Sequence, residues 1–409
     1  MELPVLRDFN LAGKKVLLRV DINSPIDPKT GEILDDTRIR SYSITLDALT
    51  KSKVVILAHQ SRPGLEDFTT LEKHAKKLEE INGREVKYVD DIFGSAAGKE
   101  IGNLRNGEIL VLENVRFCSE EASSEVVAKL PSEQAKTGFV RRLSSYVDFY
   151  VNDAFAVSHR SQPSVVAFPK VLPSCAGKVT EREIQVLSSV LESKEKPKVF
   201  AFGGSKAEDS FKVIKSLLER KIADSILTSG MIANIFLLAQ GCDIGEENKR
   251  ILAGKKLEHL IADAKELLKK YKGKIQTPVD LAFQKNGARV EASVRKFPNY
   301  KILDIGIETI AHYSGIIGDA RFVVANGPCG VFETSAFALG TEELLKSMTR
   351  SKAFSVIGGG HLCVIAQSMN LLKEISYAST GGKATLYFLA GEKLPGIEAL
   401  KEALKERKK

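Results

Sequence analysis

The chain has 409 residues, of which 43% are hydrophobic, and its formal net charge at pH 7 is +8. That length is enough for two hydrophobic cores, so we expect two domains. No run of about 18 uncharged apolar residues is present, and the N-terminus lacks an apolar segment, so we expect no membrane association and no signal peptide. The five cysteines are scattered and never form a Cys-x-x-Cys pair. This argues against a disulfide framework and a zinc site and predicts a cytoplasmic protein.

The basic balance, with a pI near 9.0, fits either a nucleic acid or a small anionic ligand. Many lysines occur in helix-like stretches such as 265–274, where a solvated helix face is the simplest explanation. The sequence contains no RNA-binding aromatic signature, no zinc-finger spacing and no basic tract interleaved with aromatic residues. We therefore expect small anions as ligands and no nucleic acid as a partner.

The first half alternates strand-like and helix-like segments. Apolar runs rich in β-branched residues occur at 16–20, 53–58, 108–112 and 146–151, and stretches such as 69–80 have helical composition. Strands that alternate with helices predict a parallel sheet covered on both faces.

Four of these strands end in a polar cluster that contains an arginine. The arginines are Arg19, Arg62, Arg116 and Arg160. In open parallel sheets, ligands bind outside the carboxyl ends of the strands. Planar guanidinium groups match carboxylate and phosphate oxygens, so the pattern predicts a basic pocket for a small, multiply anionic substrate. For any one arginine, a surface ion pair is the simpler interpretation; four at equivalent strand ends favour the pocket.

The stretch 168–174 reads as a linker, and a helix at about 180–193 follows it. Thr180 and Glu183 have the spacing of a capping box at the start of that helix. We place the domain boundary here, with a first domain at 1–175 and a second at 176–394, which begins with the connecting helix. The predicted fold class is α/β, with two doubly wound parallel-sheet (Rossmann-like) domains joined by a connecting helix.

The second half repeats the alternation, but glycines follow its strands. Predicted strands lie at 198–202, 224–230, 274–279, 300–306, 321–325, 353–357 and 375–380, and residues 331–333 are expected to enter a helix. A strand, glycines and a helix in succession present bare backbone N–H groups and a positive helix end to a phosphate. A tight turn in any parallel sheet is the alternative interpretation of each glycine group.

Known phosphate-binding motifs do not explain these glycines. The P-loop pattern and the protein-kinase motifs are absent. Cys363 stands where a dinucleotide fingerprint would need its third glycine, which disfavours a dehydrogenase. A basic half and a glycine-loop half suit phosphoryl transfer between a nucleotide and a small acid, which needs in-line positioning, charge neutralisation and exclusion of water. Arg38 and Lys206 could supply the charge, in a cleft between two closing domains.

The motifs together resemble the phosphoglycerate kinase family. Residues 19–25, Arg-Val-Asp-Ile-Asn-Ser-Pro, are similar to the family's N-terminal signature Arg-Val-Asp-Phe-Asn-Val-Pro. Further matching segments follow in order along nearly the whole chain: His59-x-x-Arg62-Pro63, Glu113-Asn114-x-Arg116-Phe117, Asn152-Asp153-Ala154-Phe155 with His159-Arg160, Gly203-Gly204-Ser205-Lys206, Leu303-Asp304-Ile305-Gly306, Asn326-Gly327-Pro328-x-Gly330-x-Phe332-Glu333, Gly358-Gly359-Gly360 and Leu394-Pro395-Gly396.

The resemblance implies reversible phosphoryl transfer from 1,3-bisphosphoglycerate to ADP, giving 3-phosphoglycerate and ATP, with Mg²⁺ bound through the nucleotide phosphates. It implies a substrate-binding set of Asp21, Ile22, Asn23, Arg38, His59, Gln60, Ser61, Arg62, Arg116, His159 and Arg160. It implies a nucleotide-binding set of Gly203, Gly204, Lys206, Asn326, Pro328, Glu333, Gly358, Gly359, Gly360 and His361. The catalytic residues would be Arg38, Lys206, Gly359, Gly360, Gly381 and Gly382. The segment at about 395–409 would pack back on the first domain.

Three positions depart from the family pattern, and they suggest an archaeal variant. Ser210 stands where many members have a second lysine, and His361 stands where an aspartate is usual. The His-Arg pair is followed by Ser161-Gln162-Pro163-Ser164 instead of Ala-His-Ser-Ser, so one histidine is absent. A neutral imidazole is a poor ligand for Mg²⁺, so we expect no direct protein ligand to the metal.

Two other functions stay open at this point. An α/β binding protein without catalysis would keep nucleotide binding when Lys206 or Arg38 is replaced, and would have no chemistry to lose. A nucleic-acid-binding protein would show a steep salt dependence of binding. The kinase hypothesis instead expects 3-phosphoglycerate, 1,3-bisphosphoglycerate, ADP and ATP as the only partners, and a monomer rather than a homodimer.

Overall fold

The structure, a computed structural model, describes residues 3–407, and the chain divides into two compact units. The first unit contains the residues up to Gln185 together with those from Lys393 onward, and the second is Val186–Glu392. The division falls inside one helix, C-terminal to the predicted boundary at residue 175. In the described range no helix is both long and apolar enough to cross a membrane.

The first unit is built on a parallel sheet of six strands. The strands are β1 (Lys15–Arg19), β2 (Lys53–Leu57), β3 (Val86–Val89), β4 (Ile109–Leu112), β5 (Phe149–Asn152) and β6 (Ser174–Ala176). Their order in the sheet is β3-β4-β2-β1-β5-β6. Along β1, Val16 and Leu18 join one buried cluster while Leu17 joins another on the opposite face. Both faces are thus covered, which explains the uninterrupted apolar runs of the sequence.

Short helices cover this sheet and connect its strands. They are α1 (Thr37–Ser41), α2 (Ser43–Ala48), α3 (Glu72–Asn82), α4 (Ser95–Asn103), α5 (Ser119–Ala122), α6 (Ser124–Val127), α7 (Pro131–Gln134), α8 (Gly138–Ser144) and α9 (Pro163–Val166), with 3-10 helices at Leu6–Asp8, Val115–Phe117, Phe155–Val157 and Phe168–Lys170.

Helix α10 (Lys178–Glu192) begins earlier than predicted. Thr180 lies inside the helix, so the predicted capping box of Thr180 and Glu183 is wrong. Asp153 takes the capping role: its Oδ1 accepts from the Thr180 N–H at 2.9 Å, and its Oδ2 accepts from the Thr45 hydroxyl at 2.5 Å. A Cβ on Gly177 would lie 2.2 Å from the Asp153 carboxyl carbon. A carboxylate distant in sequence therefore fixes where this helix starts.

The second unit contains a second parallel sheet. The strands of that sheet are β7 (Lys198–Phe202), β8 (Ser225–Thr228), β9 (Ile275–Gln276), β13 (Phe322–Asn326), β14 (Phe354–Gly358) and β15 (Tyr377–Ser379). Three further strands of the unit, β10 (Asp280–Lys285), β11 (Ala288–Ser293) and β12 (Asp304–Ile305), form a separate small sheet. The parallel sheet has the order β15-β14-β13-β7-β8-β9. The predicted fold class, two parallel-sheet α/β domains, is confirmed.

Helices also cover the second sheet. They are α11 (Ala207–Glu219), α12 (Gly230–Ala239), α13 (Glu246–Gly254), α14 (Leu260–Lys270), α15 (Ile307–Gly318), α16 (Leu339–Arg350), α17 (Gly360–Ser368) and α18 (Lys383–Leu389), with 3-10 helices at Val294–Lys296 and Ser335–Phe337.

A small antiparallel sheet in the second unit differs from the sequence expectation. The segment 300–306 contributes only β12, which pairs with β10 rather than with the parallel sheet. β10 and β11 form a hairpin in which Lys285 pairs with Ala288, so Asn286-Gly287 is its two-residue loop. Both loop residues have positive φ, 51° and 81°. Asn-Gly between two strands is a strong hairpin signal, and it could have revealed this sheet from sequence.

Helix α19 (Pro395–Arg407) lies on the first unit. The Gly396 N–H donates to the Ser158 carbonyl at 2.9 Å, and a Cβ at Gly396 would lie 2.8 Å from a Val165 methyl. Farther along the helix, the Lys170 ammonium pairs with Glu402 at 2.9 Å and with Glu406 at 3.0 Å. The last turns of the chain thus contribute to the packing of its first unit.

Candidate active site

The carboxyl ends of β1 and β2 bring together Asp21, Arg38 and His59. Nη1 of Arg38 lies 2.6 Å from Oδ2 of Asp21, and Nδ1 of His59 lies 3.9 Å from Oδ1 of the same carboxylate. Burial acts to raise the pKa of Asp21, but the surrounding cations, Arg38 foremost, outweigh it and hold that pKa below its usual value. Burial lowers the pKa of His59 well below its usual value, so the ring is neutral at pH 7.

Arg19 ends β1, but its side chain is fully buried beneath the other arginines. This differs from the expectation that it would face a ligand pocket. Its Nε donates to the Ser164 hydroxyl at 3.0 Å, and its Nη1 donates to the Val20 carbonyl. Its Nη2 lies 3.4 Å from Nδ1 of His59. Arg19 therefore contacts His59 and the backbone from within the protein, and its side chain is not available to a ligand.

Glu121 is a charged residue beneath this site that the sequence did not indicate. Its side chain is fully buried, its Oε1 accepts from the Ser164 hydroxyl at 2.6 Å, and its Oε2 accepts from the Ser164 N–H at 2.8 Å. Burial raises the pKa of Glu121, partly offset by the charge of Arg19. Through Ser164, this carboxylate is linked to Arg19. A single glutamate in a glutamate-rich surface sequence carries no signal of such a role.

Arg116 and Arg160 are half-buried and close enough to repel each other electrostatically. Burial and the charge of Arg160 lower the pKa of Arg116 to about 10, and burial also lowers the pKa of Arg160. Nη2 of Arg116 donates to Oε1 of Gln162 at 3.2 Å. Gln162 in turn donates from Nε2 to the Glu121 carbonyl at 3.2 Å. The residue that replaces the family's histidine thus orients an arginine.

The remaining predicted substrate residues differ in what they can offer a ligand. Arg62 is exposed and Asn23 is partly exposed, with Oδ1 of Asn23 accepting from the Ser61 N–H at 2.8 Å. His159 is partly exposed beside Arg160. Ile22 belongs to the buried core. Ile22 can therefore reach a ligand only through its backbone.

The side chain of Gln60 is also occupied within the protein. It is fully buried, its Oε1 accepts from the Ser24 N–H at 3.0 Å, and its Nε2 donates to the Ser24 carbonyl at 3.0 Å. These bonds hold the segment after β1 against the segment after β2. Gln60, like Ile22, can therefore contact a ligand only through its backbone.

In the second unit, two glycine turns interlock at the ends of β7 and β13. The Gly203 N–H donates to the Asn326 carbonyl at 2.9 Å, and the Gly204 N–H donates to the Pro328 carbonyl at 2.7 Å. A Cβ at Gly203 would lie 2.3 Å from the Pro328 oxygen, and one at Gly327 would lie 2.3 Å from the Gly203 oxygen. Glycine is required here because two backbones touch.

The glycine triplet follows β14 as predicted. Gly359 has a φ of +91° and precedes helix α17, which begins at Gly360. The helix is nine residues long and has no side-chain cap, and its first two residues, Gly360 and His361, are exposed. The His361 ring is exposed and lies 5.1 Å from the Phe332 ring, centroid to centroid. Uncapped amides at a helix N-terminus suit an anion.

A second glycine turn precedes helix α18. Gly382 has a φ of +52°, and the Gly381 N–H donates to the Ser379 hydroxyl at 3.2 Å. That hydroxyl also lies 2.6 Å from the Thr385 hydroxyl. The turn after β15 is thus held from within the first turn of α18.

A cavity of about 320 Å³ lies between the turns that follow β7 and β13 and the small antiparallel sheet. Gly204, Met231, Pro328, Glu333 and His361 are among the residues that line it. The predicted helix at 331–333 is wrong: the chain turns there, and helix α16 begins only at Leu339. The Val331 N–H instead donates to the Leu303 carbonyl at 2.8 Å, which leaves the Glu333 carboxylate exposed beside the cavity.

A buried ion pair supports the wall of this cavity. Nη1 of Arg289 lies 2.9 Å from Oδ2 of Asp304, and Nη2 donates to the Ile305 carbonyl at 2.7 Å. Oδ2 of Asp304 also accepts from the Gly340 N–H at 2.8 Å. The contacts of Asp304 are thus with other protein groups, which indicates a structural role. Arg289 lies on β11, in the hairpin that the sequence analysis did not predict.

Lys206 immediately precedes helix α11 and is exposed, without a side-chain capping bond. Ser210, where the family often has a second lysine, is 1% exposed. A lysine at this buried position would have to displace its neighbours. Among the described residues, no group of three or more His, Cys, Asp or Glu side chains could hold a metal ion.

The chain is similar to known proteins over nearly its whole length. The family model "Phosphoglycerate kinase" matches residues 6–392. The chain belongs to the phosphoglycerate kinase family. A phosphoglycerate kinase from Methanothermus fervidus is 52% identical over 98% of both chains, and one from Methanococcus maripaludis is 50% identical over 98% of this chain and 99% of the relative. The predicted family, its reaction and its class, a phosphotransferase with a carboxyl acceptor, are confirmed.

Solved structures of phosphoglycerate kinases share the whole fold. One from Pyrococcus horikoshii has a TM-score of 0.91 and 43% sequence identity, covering 98% of this chain and 99% of the other. One from Coxiella burnetii has a TM-score of 0.78 and 29% identity, with the same coverage. Of these two structures, the one from the archaeon is the more similar, which agrees with the archaeal variant that Ser210, His361 and residues 161–164 suggest.

Proposed function

We propose that the two half-sites carry the phosphoglycerate kinase reaction, with the phosphoglycerate on the first unit and the nucleotide on the second. The observation that carries this proposal is the contrast between them: side-chain guanidinium groups on one unit, and glycine turns with uncapped helix N-termini on the other. In the forward step, the bond between phosphorus and the acyl oxygen of 1,3-bisphosphoglycerate breaks. A bond forms between that phosphorus and a β-phosphate oxygen of ADP.

On the first unit, we propose that Arg62, Arg116, His159 and Arg160 bind the anionic groups of the phosphoglycerate. Arg116 and Arg160 repel each other in the free protein, so a bound polyanion relieves that repulsion. Arg38 would stabilise the transferred group, oriented by its bond to Asp21. Its role is electrostatic, because this reaction needs charge stabilisation rather than a covalent intermediate.

On the second unit, we propose that the cavity of about 320 Å³ holds the base and ribose of the nucleotide. Glu333 at its edge can accept two hydrogen bonds from ribose hydroxyls. The phosphates would extend toward Lys206 and the turns at Gly359-Gly360 and Gly381-Gly382. Backbone N–H groups at these helix N-termini, which have no side-chain caps, would donate hydrogen bonds to phosphate oxygens that no side-chain cation reaches.

Magnesium fits this site only through the nucleotide. The turn after β14 offers amide N–H groups and the His361 ring, which rests against Phe332, and neither is an oxygen ligand of the kind Mg²⁺ prefers. When bound, the ion would neutralise charge on the nucleotide phosphates. We propose that phosphate oxygens and water hold it, and that His361 caps the turn or contacts phosphate.

The proposal extends to domain motion, oligomeric state, location and partners. Transfer requires the two substrates to meet, so we expect hinge bending between the units when both ligands are bound. We also expect a monomer in the cytoplasm, without nucleic acid or membrane partners. Small-angle scattering with and without both substrates tests the domain motion and the oligomeric state together.

A Lys206→Met variant tests the nucleotide half-site against a purely structural role for this loop. We expect ATP formation from 1,3-bisphosphoglycerate to fall about 100-fold or more, the loss typical of a missing oxyanion donor. Lys212→Met, an exposed lysine two turns into the same helix, is the matched control. Equal turnover of both variants and the unmodified protein would remove Lys206 from the proposed site.

A further inference from the structure

Helices α11 and α18 lie side by side and run in the same direction. At their C-terminal ends, the Ser216 hydroxyl donates to the Ala390 carbonyl at 2.6 Å, and Nη1 of Arg220 lies 3.4 Å from the Leu389 carbonyl. In the first turn of α11, Oδ1 of Asp209 lies 3.2 Å from the ammonium of Lys383, the first residue of α18, and 3.4 Å from the hydroxyl of Tyr387 farther along that helix. The two helix N-termini, and the glycine turns that precede them, are therefore neighbours.

Lys383 is the first residue of α18 and directly follows the Gly381-Gly382 turn. Its ammonium lies 3.2 Å from Oδ1 of Asp209, in the first turn of α11, and 5.1 Å from the centroid of the Tyr387 ring. The Lys383 side chain remains 42% exposed, whereas that of Asp209 is 17% exposed. The cation is thus held over the same helix end as Lys206 and is still open to solvent.

Many family members have a second lysine near the nucleotide phosphates, at the position of Ser210 in this chain. Ser210 has no charge and is buried in the packing of α11, so this position cannot supply a second cation here. We propose that Lys383 is a catalytic residue that supplies this second cation, reaching the phosphates from α18 instead of from α11. This inference rests on the proposed nucleotide half-site. In the free protein Asp209 holds the ammonium in place, and in the complex the ammonium donates a hydrogen bond to a phosphate oxygen; no proton is transferred.

The alternative is that Lys383 only forms a surface ion pair, in which case its contribution to stability is small and its contribution to turnover is nil. A cation in the first turn of a short helix opposes the dipole of that helix, a disadvantage that the Asp209 carboxylate offsets only in part, since Asp209 also lies close to the Tyr387 hydroxyl. An anion bound at the same helix end would remove that disadvantage. The placement favours a ligand-dependent role.

Steady-state kinetics of the full chain test the proposal with Lys383→Met, Lys383→Arg and the control Lys212→Met. We expect Lys383→Met to lower kcat about 100-fold, by analogy with the loss of one transition-state donor, while the KM for 3-phosphoglycerate changes little. Lys383→Arg, which keeps the charge, should recover most of that loss. Lys212→Met should match the unmodified protein.

Parallel measurements separate this inference from the proposed half-site. If Lys206→Met collapses kcat but Lys383→Met does not, the half-site stands and the role of Lys383 is overturned. If neither variant affects kcat, the half-site itself is wrong. A thermal unfolding midpoint of Lys383→Met equal to that of the control confirms that the protein is folded. If the midpoint falls and Lys383→Arg restores stability without restoring kcat, the residue is structural.

Discussion

Asp21 accepts a hydrogen bond at 2.6 Å from Arg38, whose own segment lies seventeen residues farther along the chain. The Asp21 side chain is 3% exposed and the Arg38 side chain 35% exposed, so a buried carboxylate anchors an arginine that remains partly accessible. This arrangement orients the Arg38 side chain and uses its Nη1 group, so other N–H donors of the guanidinium can still bind a ligand. It is the geometry expected of a group that must meet a developing negative charge.

Replacing Arg38 by alanine should lower kcat about 100- to 1000-fold, because a preoriented donor to the transition state is lost. ADP affinity should be nearly unchanged, since the proposed nucleotide site is on the other unit. Steady-state kinetics and calorimetric titration with ADP measure the two effects. Arg40→Ala is the matched control, because Arg40 is on the same helix, 61% exposed, and paired only with Asp36 at 2.7 Å. Equal kcat values for the two variants would exclude Arg38 from the chemistry.

Glu121→Gln should destabilise the first unit and weaken phosphoglycerate binding. The change removes the buried carboxylate that accepts two hydrogen bonds from Ser164, and with it a charge that interacts with the buried Arg19. A lost hydrogen bond to a charged group costs about 1.5–3 kcal/mol. Urea unfolding measures the stability, and the KM for 3-phosphoglycerate reports the site. Glu125→Gln, an exposed glutamate in α6, is the control. If both variants behave alike, Glu121 does not support the arginines.

Acid should destabilise the protein partly through His74. Its ring is fully buried, its Nε2 lies 3.1 Å from Oε1 of Gln60, and burial lowers its pKa to about 4. Because the unfolded state binds a proton near pH 6.5 and the folded state does not until about pH 4, the free energy of unfolding should fall by about 3 kcal/mol between these values.

His74→Gln, which keeps a donor for Gln60, should flatten this part of the pH profile. Urea unfolding at several pH values between 4 and 7 measures the slope. The exposed His312 offers the control variant His312→Gln. A slope in His74→Gln as steep as in that control would show that other groups cause the acid sensitivity.

Gly203→Ala should disrupt the contact between the two glycine turns. The added methyl group would lie 2.3 Å from the Pro328 carbonyl oxygen, and such overpacking costs about 1–3 kcal/mol. ADP binding should weaken as well, because both turns flank the cavity. Thermal unfolding and ADP titration measure these changes. Gly254→Ala is the control, since a Cβ there meets nothing within 4 Å; an equally tolerated Gly203→Ala would contradict the interlocked backbone.

The sequence predicted the features that depend on local patterns. Apolar runs located all six strands of the second parallel sheet and four of the six in the first; they missed β3 and also β6, which begins in the stretch predicted to be a linker. The residues after the strands located Arg116 and the Gly358–Gly360 turn at the carboxyl edges. These predictions succeed because a buried parallel strand must be continuously apolar and a tight strand-to-helix turn favours glycine.

Three of the features that the sequence missed depend on distant contacts. Thr180 looked like an N-cap, but it lies inside the helix, and Asp153, directly after β5, accepts a hydrogen bond from its N–H. Arg19 looked like a pocket residue, but Glu121 and Ser164 bury it. Residues 331–333 have no helix breaker after Gly330, yet the Leu303 carbonyl holds Val331 in a turn. None of these partners is a sequence neighbour, so no local pattern could reveal them.

The most direct test of the whole account is ATP formation from ADP and 1,3-bisphosphoglycerate by the purified chain, followed in a coupled assay with and without Mg²⁺. We predict turnover that requires Mg²⁺ and is nearly abolished in Arg38→Ala, while Arg40→Ala remains active. Folded protein that binds ADP but forms no ATP would contradict the account and would leave a nucleotide-binding protein without catalysis.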